Sequence, residues 1–218
     1  MPRFPRLVAP GHPHHVTQRG VRRQRTFFDE TDYRTYLNLA LELADDWPVT
    51  FWAYCLMPNH VHAVVVPGQP DSLSKYFAIL HRRYARRTNL RHEWQGHMWQ
   101  KRFFSVVMDE SHCLTAMRYV EMNPVRAGTC RTPEEWPWSS ARANLGSIDD
   151  PLIDRARTAA LVTNWRSFIA EEENDDAVHQ LRQQTGTGRP DGNEAFLNSI
   201  ESCTGRRVRK RRAGRKKE

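Results

Sequence analysis

The sequence predicts an α+β fold built around one antiparallel sheet with helices on one face. Two observations support it. β-Branched and apolar runs alternate with segments whose apolar residues recur at helical spacing. The elements also follow one another in the order β-α-β-β-α-β, which is the split βαβ, or ferredoxin-like, arrangement. A third helix and a helical, basic C-terminal extension follow this unit.

Each predicted element has a local cause. Val16 and Thr17 favour extended backbone in the first strand, and acidic residues open the first helix. The Pro58-Asn59 break joins two β-rich runs into a hairpin. Asp71 or Ser72 caps the second helix, and Pro124 ends the third. The predicted strands are residues 13–19, 49–56, 60–66 and 103–108, and the predicted helices are residues 29–45, 72–88 and 110–122.

Charge is concentrated in parts of the chain rather than spread evenly. The last fourteen residues hold nine Lys or Arg and one Glu, so they carry the whole net charge of +8. In the neutral remainder, arginines crowd the N-terminus and the second helix. Such segregation is typical of proteins that bind a phosphate backbone, although a solvated surface gives the same composition.

Composition argues against several other classes of protein. No apolar run approaches the ~18 residues of a membrane span, and the N-terminus lacks a signal-peptide stretch, so we expect a cytoplasmic protein with no membrane partner. The four cysteines form no CxxC pair. They therefore favour neither a zinc knuckle nor a disulfide framework.

His60-Val61-His62 is the first candidate site. Residues i and i+2 of a strand point to the same face, so the two imidazoles lie side by side and can hold a metal. Imidazoles suit transition metals, and with phosphate oxygens they can also hold Mg²⁺ or Mn²⁺. Many such pairs in strands are only packed or exposed, and the spacing alone leaves both interpretations open.

Tyr119 and Asn123 form the second candidate site. Their i, i+4 spacing stacks both side chains on one helix face, where the phenol could attack phosphorus and the amide could complete a metal shell. The alternative is a half-buried core tyrosine and a helix-capping asparagine. Two imidazoles, an amide and a phenol brought together would suffice for metal-assisted phosphoryl transfer.

Four sequence blocks, in order, resemble the single-tyrosine HUH transposases of insertion sequences, and the REP-associated tyrosine transposase branch most closely. The similarity covers about residues 5–140. The blocks are Ala53-Tyr54-Cys55-Leu56-Met57-Pro58-Asn59-His60-Val61-His62, Gly96-His97-Met98-Trp99-Gln100-Lys101-Arg102-Phe103, Arg118-Tyr119-Val120-Glu121-Met122-Asn123-Pro124-Val125-Arg126-Ala127-Gly128, and Trp138-Ser139-Ser140.

The resemblance implies a function and a role for each candidate residue. It implies a ferredoxin-like fold, cleavage and rejoining of single-stranded DNA near hairpins, and a 5′-phosphotyrosine intermediate. Tyr119 would be the nucleophile, and His60, His62 and Asn123 the ligands of Mg²⁺ or Mn²⁺. Tyr84, beside the arginine cluster, is a weaker candidate because Thr88 stands four residues after it. Members of the family differ in oligomeric state, so a monomer and a homodimer both remain open.

The sequence also predicts the domain boundaries and the cations that bind DNA. Residues 1–145 form the catalytic domain, residues 146–184 a helical extension and linker, and residues 185–218 a flexible, basic DNA-binding tail. A helix is expected within residues 156–170 and a short one at residues 194–202. The cations expected to bind DNA are Arg19, Arg22, Arg23, Arg82, Arg83, Arg86, Arg87, Lys101 and Arg102.

Two other functions compete with the transposase. A non-catalytic protein could keep the fold and only recognise palindromic repeats. A metal-dependent hydrolase could use water in place of Tyr119. The presence of His60, His62, Tyr119 and Asn123 together favours a catalytic protein.

Overall fold

The computed structural model describes residues 6–209 and contains the predicted sheet. The strands are β1 (His14–Arg19), β2 (Val49–Met57), β3 (His60–Pro67) and β4 (Phe104–Val107). Their order in the sheet is β2-β3-β1-β4, and all neighbours are antiparallel. This is the order that the split βαβ arrangement requires, so the predicted fold class is confirmed.

Two helices cover one face of the sheet, as predicted. They are α1 (Glu30–Asp46) and α2 (Ser72–Arg91). The Asp29 side chain caps α1 by accepting a hydrogen bond from the backbone N–H of Asp32. Aromatic side chains fill the space between helices and sheet, among them Phe27, Tyr36 and Tyr84, each almost fully buried.

The opposite face is also covered. The helix α3 (Glu110–Glu121) packs against β2 and β3 there, together with helices of the C-terminal extension. The Asp109 carboxylate caps its first turn, and it ends before Pro124, as predicted. The expectation of helices on one face therefore holds for α1 and α2, while α3 starts a third layer.

The C-terminal extension consists of short helices. They are α4 (Asn123–Arg126), α5 (Ala141–Asn144), α6 (Arg155–Leu161), α7 (Trp165–Ala170), α8 (Asp175–Thr187) and α9 (Glu194–Thr204). The helix expected within residues 156–170 is two helices, because the Asn164 side chain caps α7 and starts a new one. The helix α8 was not predicted. Gly188, at φ 72°, ends it in the left-handed conformation.

The predicted boundary between residues 184 and 185 falls inside α8. Beyond it, α9 packs beside β4, and Val208 is buried in the same cluster. Arg209 forms ion pairs with Glu194 and Glu201. The strongly basic residues 210–218 lie outside the described residues.

Two tryptophans hold the segment after α4 against β2 and α1. The Trp136 indole donates to the carbonyl oxygen of Leu56 at 3.1 Å, and the Trp138 ring stacks on Tyr33 at 4.7 Å between centroids. Phe103 is also in the core, in contact with Phe77.

Among the helices described, none combines the length and the apolar character needed to cross a membrane.

Glu121, at the end of α3, links three elements from a fully buried position. Its carboxyl oxygens accept hydrogen bonds from Ser140 at 2.6 Å, Asn144 at 2.7 Å and Trp165 at 2.7 Å. These donors favour the ionised form, but burial has the larger effect and raises the pKa of Glu121 to about 7. This carboxyl therefore stabilises the fold most below its unfolded pKa of 4.5, and loses that contribution as pH rises to about 7.

Replacing this carboxyl tests the balance between burial and hydrogen bonding. Glu121→Gln is expected to lower the free energy of unfolding at pH 5 by about 1–3 kcal/mol, because its amide hydrogens face other donors. The difference from the wild type should shrink at pH 8, since only the wild type then carries a buried charge. Urea unfolding at both pH values measures it, with the exposed Glu110→Gln on the same helix as control. A difference that grows with pH would show that the hydrogen bonds outweigh burial.

Candidate active site

The two histidines of β3 face α3. In the antiparallel register, Thr17 pairs with His62 and Arg19 pairs with His60. Residues directly opposite each other point to the same face, so these four side chains share one side of the sheet. That side is the one on which α3 packs, which brings Tyr119 over β3.

A cavity of about 540 Å³ lies between this part of the sheet, α3 and α8. His60, His62 and Tyr119 all line it, together with Arg19 and Lys101. The ring centroids of His60 and His62 are 5.0 Å apart, and those of His62 and Tyr119 are 5.6 Å apart. The structure thus brings the predicted imidazole pair and the predicted phenol together.

Two other predicted candidates lie elsewhere. Asn123 is buried at the start of α4, and it is not among the described residues that line the cavity. Tyr84 is fully buried under α1, where its hydroxyl donates to the carbonyl oxygen of Thr26 at 2.6 Å. The position of Tyr84 is that of a core residue, and Tyr119 is the tyrosine that lines the cavity.

Both histidines are neutral and have Nδ1 engaged. Burial, followed by the nearby charge of Arg19, lowers the pKa of His60 to about 4, and burial places the pKa of His62 well below its usual value. His60 Nδ1 lies 2.6 Å from the Asn59 side-chain oxygen. His62 Nδ1 lies 3.0 Å from His15 Nε2. Neutral imidazoles with one nitrogen held by the protein are suited to bind a metal through the other.

These donors fit part of a metal site. His60 and His62 supply two nitrogens, and no group of three or more His, Cys, Asp or Glu within residues 6–209 is placed to hold an ion. The remaining ligands would have to be oxygens, from amides, water or a phosphate. Such a mixed set suits a divalent cation that acts on a phosphodiester.

Two guanidinium groups surround the Tyr119 ring. That of Arg126 lies 4.3 Å from the ring centroid, and that of Arg182, on α8, lies 5.4 Å from it. Arg182 Nε also donates to the phenol oxygen at 3.4 Å. Arg126 is neutralised by an ion pair with Glu173. Positive charge therefore lies close to the oxygen that would become a nucleophile.

A second, larger groove of about 880 Å³ adjoins the cavity. It runs between α2 and the segment before β4, and Arg82, Arg86 and Arg102 line it. Gln18, Gln100 and Lys101 line both the groove and the cavity, so the two are neighbours.

The predicted DNA-binding cations lie in four places, and Lys101 belongs to two of them. Arg19 and Lys101 line the cavity, and Arg82, Arg86, Lys101 and Arg102 line the groove. Arg83 and Arg87 are exposed on α2 but do not line it. Arg22 and Arg23 occupy the turn after β1 with positive φ values of 53° and 63°.

This turn follows Gly20, where an added Cβ would lie 2.3 Å from the Gln24 carbonyl oxygen, so only glycine fits.

Within residues 6–209, none of the predicted DNA-binding cations takes part in an ion pair. The pairs of that region involve Arg34, Lys75, Arg91, His112, Arg118, Arg126, Arg166 and Arg209.

Several polar residues of the site were not predicted, and three of them make hydrogen bonds that matter for the histidines or the phenol. They are His15 on β1 and Arg182 and Thr185 on α8. His15 shares the face of Thr17 and Arg19, and this alternation in the first strand is a signal that could have identified it. Arg182 and Thr185 gave no comparable signal, because α8 itself was not predicted.

Comparison with known proteins places this geometry in a family. The family model described as "Transposase IS200 like" matches residues 11–123, which include both histidines and Tyr119. A REP-associated tyrosine transposase of Escherichia coli is 22% identical over 121 residues, covering 55% of this chain and 71% of that protein. A protein of Haemophilus influenzae that bears the same name provisionally is 25% identical over 132 residues, covering 55% of this chain and 75% of that protein.

A solved structure has the same fold. It is a REP-associated tyrosine transposase bound to a REP hairpin, with a TM-score of 0.59 and 18% sequence identity, covering 71% of this chain and 98% of that chain. The family model spans more than half of this sequence, and the resemblance predicted from the four sequence blocks is confirmed. The chain therefore belongs to the family of IS200-like transposases, and it is a DNA transposase.

Proposed function

We propose that this transposase cleaves and rejoins single-stranded DNA beside hairpins, with a divalent metal, through a 5′-phosphotyrosine at Tyr119. The observation that carries the proposal is the shared cavity: a phenol and two neutral imidazoles line it, with the His62 and Tyr119 rings 5.6 Å apart. All three come from one chain. A monomer can therefore assemble the site without residues from a second copy.

The reaction conserves the phosphodiester bond energy. The Tyr119 oxygen forms a bond to phosphorus as the bond from phosphorus to the 3′ oxygen breaks, and that oxygen takes up a proton and leaves as a 3′ hydroxyl. The phenol proton is lost in the same step. Attack by a 3′ hydroxyl on the phosphotyrosine reverses the chemistry and joins two DNA ends, so no nucleotide cofactor is needed.

Arg182 is the residue best placed to assist the phenol. Its Nε donates to the Tyr119 oxygen, and its positive charge stabilises the negative charge that this oxygen acquires on losing its proton. Arg126 lies against the ring face, and its ion pair with Glu173 holds it there. Together they fix the ring in the cavity.

His60 and His62 would hold Mg²⁺ or Mn²⁺ through nitrogens not used in their Nδ1 contacts. When bound, such an ion polarises the scissile phosphate and orients it toward the attacking oxygen. Asn123 stays a predicted third ligand. Its buried position at the start of α4 means that its side chain would reach the cavity only after a local rearrangement.

The groove beside the cavity would carry the DNA. Its arginines and Lys101 form a positive track that leads to the histidines, and phosphates bind such tracks by charge. The solved relative is bound to a REP hairpin, which supports a hairpin substrate here. Arg19, Arg22 and Arg23 lie at the end of β1, where they could contact DNA that enters the cavity.

Covalent trapping tests the nucleophile. Labelled single strands that contain a hairpin, incubated with Mn²⁺ and run on a denaturing gel, should give a protein–DNA band that Tyr119→Phe abolishes. Tyr84→Phe is the matched control, since it removes a buried phenol outside the cavity and should retain the band. Cleavage that survives Tyr119→Phe would instead indicate attack by water. Binding without cleavage by the wild type would indicate a protein that only recognises repeats.

Arg182 is expected to affect the chemical step rather than DNA binding. Arg182→Ala should lower the single-turnover cleavage rate by roughly a hundredfold, the low end of the cost of losing a donor to a developing oxyanion, while Arg182→Lys retains part of the rate. Arg166→Ala, which removes an exposed arginine from α7, is the control. Equal rates for Arg182→Ala and the wild type would exclude this role.

The groove arginines should determine the salt dependence of binding. Arg82→Ala with Arg86→Ala is expected to reduce the slope of log affinity against log salt by about 1.4, since each single-strand phosphate contact contributes ~0.7. Cleavage at saturating DNA should persist. Arg34→Ala, on α1 and paired with Glu30, should leave the slope unchanged. An unaltered slope in the double variant would remove α2 from the DNA path.

A further inference from the structure

We propose that Thr185, on α8, is a positioning residue for the metal site: through His15 it determines which ring nitrogen of His62 carries the proton. The inference rests on the proposed metal-dependent function and extends it to a part of the chain beyond the segment that the family model matches, residues 11–123. It assigns to α8 a role in preparing a ligand for the metal.

A chain of three hydrogen bonds connects α8 to the histidine pair. The Thr185 hydroxyl donates to the carbonyl oxygen of Leu181 at 2.8 Å. His15 Nδ1 lies 2.9 Å from the same hydroxyl oxygen, and His15 Nε2 lies 3.0 Å from His62 Nδ1. The planes of the His15 and His62 rings are within 13° of each other and their centroids are 5.2 Å apart, which suits a hydrogen bond in the plane of both rings. His15 and His62 are both almost completely buried, so water does not compete for these contacts.

The positions of the protons follow from this chain. The Thr185 hydroxyl has one hydrogen, which it gives to Leu181, so its oxygen accepts from His15 Nδ1. A neutral imidazole has one donor and one acceptor, and His15 uses its donor at Nδ1. His15 Nε2 is then the acceptor, and it takes the hydrogen of His62 Nδ1. The lone pair of His62 is left on Nε2, as a metal ligand requires.

The opposite arrangement would inactivate the ligand. If His15 carried its proton on Nε2, it would donate to His62 Nδ1, and the His62 proton would sit on Nε2, where it blocks coordination. The acceptor oxygen of Thr185 disfavours this arrangement, because it holds the His15 proton on Nδ1. His60 is prepared in the same way by a local partner, the side-chain oxygen of Asn59, which the bond from Asn59 Nδ2 to the Arg23 carbonyl orients.

Thr185→Val removes the acceptor with little change in shape, and Thr185→Ser retains it. Two-bond ¹H–¹⁵N spectra of the imidazoles report which nitrogen of each ring is protonated, and His62→Gln assigns the His62 signals. The wild type and Thr185→Ser should show His62 protonated at Nδ1. In Thr185→Val, His62 should show either a mixture of the Nδ1 and Nε2 tautomers or the Nε2 tautomer alone. His15→Phe, which retains an aromatic ring but removes both nitrogens, should reproduce the effect even if Thr185→Val disturbs the packing of α8.

Metal affinity gives a second readout that does not depend on cleavage. Titration of the full-length protein with Mn²⁺ should show roughly tenfold weaker binding for Thr185→Val, the low end of what loss of an outer partner costs a metal site, and wild-type affinity for Thr185→Ser. An unchanged His62 tautomer and unchanged Mn²⁺ affinity in Thr185→Val would overturn the inference. Mn²⁺ binding that is insensitive to His60→Ala with His62→Ala would instead overturn the proposed metal-dependent function, while the tautomer spectra would still decide the role of Thr185.

Discussion

The pairing register of β1 with β3 is the constraint on which the site depends. Side chains alternate between the faces of a strand, so a slip of one residue would turn His60 and His62 away from α3 and toward α1 and α2. The observed register sets Arg19 opposite His60 and Thr17 opposite His62. Apolar pairing on the other face fixes it, because Val16 faces Ala63 inside the larger core. Core packing on one face of the sheet thus positions the chemistry on the other.

The site combines buried neutral nitrogens with uncompensated positive charge at its edge. Burial removes water from around His60 and His62, which disfavours the protonated form and lowers the pKa of each imidazole. The neutral rings are therefore able to act as ligands. The predicted DNA-binding cations that line the cavity and groove form no ion pair within the described region, whereas Arg91 and Arg126 are held by carboxylates of the fold. Arginines left without a carboxylate remain available to phosphates. The distribution of ion pairs therefore separates structural cations from those expected to bind DNA.

Much of this arrangement could be predicted from sequence, because it depends on local periodicity. The His-Val-His spacing correctly placed two imidazoles on one face, whereas the i, i+4 spacing predicted Tyr119 and Asn123 on one helix and the structure divides them between α3 and α4. Periodicity does not determine how far α4 turns away after Pro124, and there the structure buries Asn123 outside the cavity lining. His15, Arg182 and Thr185 enter through contacts between residues far apart in sequence, and the end of α8 falls within residues 185–218, which were expected to be flexible. Such contacts follow from packing, which a local pattern does not encode.

The position of α8 bears on where the catalytic unit ends. The family model stops at residue 123, yet the phenol oxygen of Tyr119 and the ring of His15 both find their hydrogen-bond partners on α8. The helix packs on α3, β1 and β4, so it closes the cavity on the side opposite β3. A boundary near residue 145 would separate Tyr119 from Arg182 and leave His15 Nδ1 without its acceptor. A chain that held only the matched segment would lack both contacts, so the orientation of His15 and of the Tyr119 phenol depends on α8 as well as on the elements that carry the proposed metal ligands.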